Sequence, residues 1–335
     1  MIRLGIWKLD QLRKKFARPG KQPAFFPFSH FHRSVSILLY EELARSAPPD
    51  QEFLQEQILE SFSNYVQPQG KDSSADQGAF KRTYAHRFEA FDQTAADLAQ
   101  KHLQGVQPLA VHDLGVSDGR TSVDFYRVLK ATAFKNPRYL ATDTTPYVDV
   151  ISRPGRRTRM ALDPEGRVVQ IIRAPFVLNF PKQEHPLLFP VNWLVRKWLL
   201  AYSVPRMLKS YQTRPGDFQV ERIYLVAKEC KSLMGSATGF QVEPYNVLQP
   251  MGQRFHLIRA MNVLNPSYFP PIRMAQALQN ILNGLEEGGL FVTGSNQGAG
   301  SPVDGAIYKK TEGRFHKLFQ SGQSSPVESV LLAQG

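Results

Sequence analysis

The segment 109–132 constrains the fold more than any other part of this chain. Leu109 to Asp113 is a short apolar run that ends in an acid, Gly115 and Gly119 open a turn, and Thr121 to Thr132 has helical character. Glycines in a strand-to-helix turn let a ligand approach the backbone, and the free N–H groups at the helix start can receive polar ligand atoms. Arg138 to Asp143 reads as a second strand, again closed by an acid. Ile223 to Ala227 and Phe240 to Val242 are short apolar runs, and Arg254 to Arg259 and Leu290 to Thr293 are strands around a helix at Pro271 to Leu285. Strands alternating with helices predict a parallel sheet covered on both faces, with ligands in the crevice at the carboxyl ends of its strands. Asp113 then stands where a carboxylate accepts from a ligand amine or hydroxyl, and Asp143 where an acid grips the ribose hydroxyls of a nucleoside.

The tail differs from this pattern. Gly305 to Phe319 and Val327 to Leu332 look strand-like, with turn residues Gly322 to Pro326 between them, which predicts a closing antiparallel hairpin. A long interruption, about 151–222, separates the second strand from the rest of the sheet. It opens with a hairpin, Arg159 to Leu162 and Val168 to Ile172 around the turn Asp163-Pro164-Glu165-Gly166. At the other end of the chain, 41–66 is helical in character, with Leu54, Ile58, Phe62 and Tyr65 on one face. Residues 68–78 form a polar linker, and a helix near Tyr84 to Leu103 leads into the first strand. The expected organisation is a segment 1–80 holding a basic arm and helical extension, then a domain over 81–335 interrupted at 151–222.

The strand, turn and helix in Asp113-Leu114-Gly115-Val116-Ser117-Asp118-Gly119 resemble the first motif of class I S-adenosylmethionine-dependent methyltransferases, an acid followed by alternating glycines. Ser117 stands where the middle glycine is commonest, a small residue that keeps the turn open. The NAD fingerprint is absent, because Ser117 and Arg120 fill its second and third glycine positions. Val242 to Leu248 looks like the family's third strand and loop, with Asn246 where the family meets the adenine amine. Arg254 to Leu264 looks like the fourth strand and its exit, and Glu286-Glu287-Gly288-Gly289 like the turn into the fifth. The resemblance covers about 84–143 and 223–332. It implies a doubly wound, seven-stranded, mostly parallel α/β sheet with the last strand antiparallel, and S-adenosyl-L-methionine as cofactor. It also implies a cofactor site made of Asp113, Gly115, Ser117, Gly119, Asp143, Asn246 and Asn262. For Asn246 and Asn262 a plain turn-closing role stands beside the ligand role.

Asn262-Val263-Leu264 with Tyr268-Phe269 is distantly similar to the fourth-strand exit of chemotaxis-receptor glutamate methyltransferases. Asn265-Pro266-Ser267-Tyr268 comes too late after the strand to serve as the motif of amino-methylating enzymes, so Pro266 reads as a loop former. Class I methyl transfer needs no universal catalytic residue, because alignment with a methyl on sulfonium does most of the work. Where the acceptor needs a base, Tyr268 and His256 are the candidates. His30 and His32 have no third ligand at helpful spacing, and one cysteine, Cys230, excludes an intrachain disulfide and a cysteine-based zinc site, so no metal is expected.

Charge is concentrated rather than spread. The chain carries 41 Lys/Arg against 29 Asp/Glu, a net charge of +12, of which 1–35 contributes +7 and 151–222 contributes +8. Ile2, Ile6, Leu9, Leu12 and Phe16 make an apolar stripe in the first segment, followed by Phe25, Phe26, Phe28 and Phe31. All three tryptophans, Trp7, Trp193 and Trp198, fall in the two basic segments. Val191, Leu194, Val195, Trp198 and Tyr202 form a helical apolar stripe beside Arg196 and Lys197. Tryptophan with cations on an amphipathic helix suits an anionic membrane surface, through 1–35 and 187–208. The same helix also suits a lid packed on the catalytic domain. Nucleic acid ranks behind both, since no recognisable binding module is present. No stretch is long and charge-free enough to span a bilayer, and no export signal is evident, which places the protein in the cytoplasm, peripheral at the inner membrane face. The leading function is methyl transfer to an unidentified acceptor that is lipid-like or membrane-proximal. The alternatives are a non-catalytic membrane-associated protein that keeps the cofactor fold, and an RNA or protein methyltransferase.

Overall fold

A computed structural model describes residues 36–46, 58, 85–132, 134–180, 186–235, 239–266, 269–296, 302–323, 325 and 327–332. The basic arm, the aromatic cluster after it, His30, His32, the linker 68–78 and Tyr268 lie outside them, as does all of 47–66 except Ile58. The chain divides into two compact units. One takes the described residues before 82 with Tyr147–Leu225, and the other takes Arg82–Pro146 with Val226–Gly335.

The second of these units is the predicted sheet. Its strands are β1 (Ala110–Leu114), β2 (Arg138–Asp143), β8 (Phe240–Pro244), β9 (Phe255–Met261), β10 (Leu285–Ser295), β11 (Asp304–Thr311) and β12 (Arg314–Ser321). They lie in the order β12-β11-β10-β9-β1-β2-β8, seven strands as expected. The pairs β8–β2, β2–β1, β1–β9 and β9–β10 are parallel, while β10–β11 and β11–β12 are antiparallel. All five residues of β1 are buried, as a central strand covered on both faces requires.

Alternation along the strands builds the two faces. Ala110, Leu114, Ile258 and Ala260 pack against Met274, Ala277, Leu278 and Ile281 of a helix at Pro271–Gly284. The opposite face meets a helix at Glu89–His102, here α2, and one at Arg120–Ala131, here α3; the first helix of the chain, α1, is Ile37–Ser46. The stacked Tyr139 and Phe240 rings, 5.1 Å apart, and Tyr126 edge-on to both fill the core on the α3 side.

The tail corrects the expected hairpin. Its turn is Glu312-Gly313, flanked by the paired Thr311 and Arg314, with both turn residues at positive φ (54° and 72°). That is the two-residue geometry whose twist matches two antiparallel strands. Glu328–Leu332 is a helix rather than a strand. Val327, Val330 and Leu331 meet the core at steps of three and four, a spacing that also passes for an apolar strand in so short a run.

The other unit holds a five-stranded antiparallel sheet in the order β6-β5-β4-β3-β7, made of β3 (Tyr147–Ser152), β4 (Thr158–Leu162), β5 (Val168–Arg173), β6 (Phe176–Asn179) and β7 (Gln219–Tyr224). The β4–β5 hairpin lies where the turn residues put it. Asp163 holds that turn by accepting from the Glu165 and Arg167 backbone N–H groups at 3.1 and 2.8 Å. Ile223, expected in an apolar core run, belongs to β7 of this sheet. Helix α1 joins the unit through the Ile37 N–H, which donates to Gln170 Oε1 at 2.9 Å, and through an Arg45–Glu221 ion pair.

Candidate functional site: the carboxyl edge of the parallel sheet

The turn after β1 is built by three consecutive demands on its backbone. Gly115, Ser117 and Gly119 all have positive φ, at 66°, 54° and 80°. A Cβ at Gly115 would collide with Val263, and one at Gly119 would come within 2.6 Å of Cys230 Sγ. Both glycines are therefore required by conformation and by space. Ser117, the departure from the family pattern, accepts the left-handed conformation without being a glycine. Val116 N–H donates to the Thr142 carbonyl at 3.0 Å, which ties the turn to the end of β2.

Asp143 completes that tie. Its Oδ2 accepts from the Ser117 backbone N–H at 2.9 Å, and its Oδ1 faces the Thr144 hydroxyl and the Thr145 N–H at 3.3 and 3.5 Å. The carboxylate is 5% exposed at the last residue of β2. Beside it α3 begins with Gly119 at the N-cap, and the preceding Asp118 caps the first N–H of the helix, its Oδ1 accepting from the Arg120 backbone at 3.1 Å. The N–H groups of a helix's first turn attract polar and anionic atoms, as this carboxylate shows.

Asp113 has a different environment from the one expected. It is 1% exposed, and both of its oxygens accept from Arg259 Nη1 at 3.1 Å while Oδ2 also accepts from the Tyr139 hydroxyl at 2.6 Å. Arg259 in turn forks onto Asp92 of α2, with Nε to Oδ1 and Nη2 to Oδ2 both at 3.0 Å. The Phe88 and Phe125 rings flank the guanidinium at 5.4 and 5.0 Å. Instead of meeting a ligand amine, this carboxylate is engaged inside the sheet, because a buried arginine needs acceptors for its fixed fork of donors. It anchors the strand from which the glycine turn departs. Burial pushes Asp92 up to about 7, against the pull of Arg259. Burial also draws Arg259 down, yet Asp113 and Asp92 together hold it above its ordinary value.

The remaining candidates divide by position. Asn262 follows β9 directly at φ 59°, with its N–H on the Gly294 carbonyl at 2.8 Å and its Oδ1 accepting from the Asn296 N–H at 3.1 Å. Arg87 Nε donates to Asn296 Oδ1 at 2.7 Å, so a polar cluster joins the exits of β9 and β10. Asn246 Oδ1 accepts from the Leu248 N–H at 3.0 Å and closes its own turn after β8. Both asparagines lie at the carboxyl edge with Ser117 and Asp143. His256 does not. It is the second residue of β9, at the amino edge, about 16 Å along the strand from Met261. Its Nδ1 accepts from the Ala110 N–H at 3.0 Å, so it caps a strand entry and is corrected here as a base candidate.

A cavity of about 280 Å³ lies on the face of β1, β2 and β8, lined by His112, Thr142, Glu243, Tyr245, Met251 and Phe255 among others. His112 packs against Phe255 at 4.6 Å and Tyr245 at 5.1 Å. Its Nε2 lies 3.0 Å from Thr142 Oγ1, which itself donates to the Asp113 carbonyl at 3.3 Å. Burial pushes this ring down to about 3, so it is neutral.

Arg259, Asp92, Tyr139, Arg87, Asn296 and His112 were not foreseen. A charged residue inside the apolar run Phe255–Met261, in a strand buried on both faces, was the available signal for Arg259. An acid between Phe91 and Ala95 on the buried face of α2 was the matching signal for its partner.

No protein-family model matches the chain, and no curated protein does. Among solved structures, it is similar to the CcbJ methyltransferase from Streptomyces caelestis (11% identity, 72% of this chain and 76% of that one, TM-score 0.32). It is also similar to an S-adenosylmethionine-dependent methyltransferase from Clostridium acetobutylicum (7%, 73% and 79%, 0.31). A third is an amino pentose methyltransferase from Micromonospora echinaspora (10%, 76% and 90%, 0.31).

Proposed function

We propose that the protein is an S-adenosylmethionine-dependent methyltransferase whose cofactor lies along the carboxyl edge formed by β1, β2, β8 and β9. The observation that carries this reading is the Ser117–Asp143 hydrogen bond, which joins the glycine turn and the acid of the neighbouring strand in one rim beside the start of α3. That donor set fits the group. A carboxylate at the end of the second strand suits the hydroxyl donors of a ribose, and the α3 amides suit a carboxylate. The aromatic cavity is sized for a planar base rather than for a whole cofactor.

S-adenosylmethionine, when bound, supplies an electrophilic methyl on a sulfonium, and the protein's part is to position. Asp143 holds the sugar, Gly115 and Gly119 keep the rim low, and Arg259 fixes Asp113 and the strand beneath. Asn246 and Asn262 line the two flanks of this rim. No general base is assigned, because His256 stands at the opposite edge and a well-aligned acceptor needs none.

For the acceptor we propose a lipid-like or membrane-proximal molecule, on the strength of exposed apolar and basic side chains in the unit that holds Tyr147–Leu225. The proposed organisation is a segment 1–80 followed by a methyltransferase domain over 81–335 interrupted at about 151–222. The lone, buried Cys230 favours a reducing, cytoplasmic setting. The test is incubation with cofactor carrying a labelled methyl group and separated lipid, protein, RNA and small-molecule fractions. Label in the lipid fraction is expected. Label in protein or RNA alone overturns the acceptor class, and cofactor binding with no transfer to any fraction supports the non-catalytic alternative.

A further inference from the structure

The segment 186–214 has a buried face and an exposed face that are both apolar, and among the described residues the core packing falls on the buried one. It comprises α4 (Pro190–Trp198), a π-helical turn at Leu199–Ser203 and α5 (Val204–Thr213). Val195, Leu199, Val204, Met207, Leu208 and Tyr211 pack on Ile151, Met160, Ile171 and Leu178 of the antiparallel sheet. Arg196 pins α4 to β6 by donating to the Asn179 and Phe180 carbonyls at 3.0 and 2.9 Å. The stripe read from the sequence is thus split: Val195 turns inward, while Leu194, Trp198 and Tyr202 stand outward.

Six of the nine large hydrophobic side chains that are exposed among the described residues fall within 187–202. Leu187 is 85% exposed, Leu194 59% and Trp198 48%. Leu194, Trp198 and Tyr202 follow one another at four-residue steps and form a ridge, which continues through exposed Arg206 toward Lys209. From 186 to 214 there are five Lys/Arg and no Asp/Glu. Arg173 lies over the Trp198 ring at 5.3 Å and Lys197 over Trp193 at 4.0 Å, so cations and indole rings occupy the same surface.

We infer that this ridge docks the protein on an anionic phospholipid bilayer. Leucines and tryptophan enter the acyl boundary, and Lys197, Arg206 and Lys209 meet the phosphates. No helix among the described residues is long and apolar enough to cross a membrane, so the segment lies on the surface. A second copy of the chain fits less well, because a two-fold interface would set the same cations against each other with no acid in the segment to neutralise them. A nucleic acid offers phosphates but leaves the exposed leucines without an apolar partner. The inference holds whether or not the other unit transfers methyl groups.

The test is sedimentation of the full chain with vesicles of phosphatidylcholine alone and with 30% phosphatidylglycerol, a composition of roughly the anionic content that attracts basic segments. Binding to the anionic vesicles is expected, at least roughly tenfold tighter than to the neutral ones. Leu194→Ser with Trp198→Ser, and separately Lys197→Glu with Lys209→Glu, are each expected to weaken it roughly tenfold or more. Leu187→Ser with Leu188→Ser, in the loop before α4, gives the same loss without touching a helix. Ile272→Ser, exposed in the other unit, leaves binding unchanged. Thermal melts confirm that each variant folds. Absence of wild-type binding, equal binding by the ridge variants, or a wild-type dimer that the Leu194→Ser/Trp198→Ser variant dissociates would each overturn the inference.

Discussion

Ser117 donates its backbone N–H to Asp143 across 2.9 Å, so the turn that follows β1 and the acid that ends β2 are one hydrogen-bonded rim. Every ligand role assigned here depends on that rim being held in place from beneath. The glycines shape it, and the buried Arg259 network supports it.

Gly119→Ala is expected to destabilise the protein by about 1–3 kcal/mol, since it adds a Cβ at positive φ and presses it against Cys230. Cys230→Ala in the same chain should recover part of that loss, because it removes the clash and leaves the backbone strain. Denaturant unfolding of the two single variants and the double variant measures the coupling. Strictly additive effects would place Cys230 out of contact with the turn.

Arg259→Met should cost about 3–5 kcal/mol, because Asp92 and Asp113 would be left buried without their shared cation. Arg259→Lys should recover only part of this, since an ammonium cannot fork onto two carboxylates. Equal stability of the lysine and wild-type proteins in urea would argue against the fork geometry.

Asp92 gives stability a pH dependence of definite sign. Its folded value, about 7, is above its unfolded value of 3.8, so the folded state binds more protons between them. Its contribution is fully present below 3.8 and is lost as pH rises through about 7. Unfolding free energies at pH 5 and pH 8 should therefore differ more in wild type than in Asp92→Asn, with the wild-type advantage at pH 5. An identical pH dependence in the two proteins would exclude Asp92 as the source.

His256→Ala should lower stability by about 1–2 kcal/mol by leaving the Ala110 N–H without its acceptor. Cofactor binding and turnover should change by less than about twofold, a shift too small for lost charge-assisted contacts. A collapse in turnover with normal binding would restore it as a base.

The parallel sheet was legible because its strands obey local rules: apolar runs, terminal acids and glycine turns at fixed places. Arg138 to Asp143 even has the predicted limits. The tail was misread where a short run satisfied two periods at once, as Val327 to Leu332 does, and where the turn signal Glu312-Gly313 lay inside an apparent strand. Of the antiparallel sheet around β3 to β7 only one hairpin was read; the β3–β7 pairing joins residues as distant as Tyr147 and Tyr224, while the local β3–β4 and β5–β6 pairings went unrecognised. Spacing along the chain brought Asp143 and the two glycines into one neighbourhood, the turn after β1 and the end of β2. The burial of Asp113 could not be read that way, because it depends on Arg259 and Asp92, each more than twenty residues away and brought close only by the folded sheet.

The most direct measurement is titration calorimetry with S-adenosylhomocysteine, on the wild-type chain and on Asp143→Asn. The wild type should bind, and the variant, which keeps an oxygen for the Ser117 N–H but loses the charge, should bind roughly tenfold or more weakly with an unchanged melting temperature. A wild-type protein that takes up no ligand, or a variant that binds it equally well, would contradict the account.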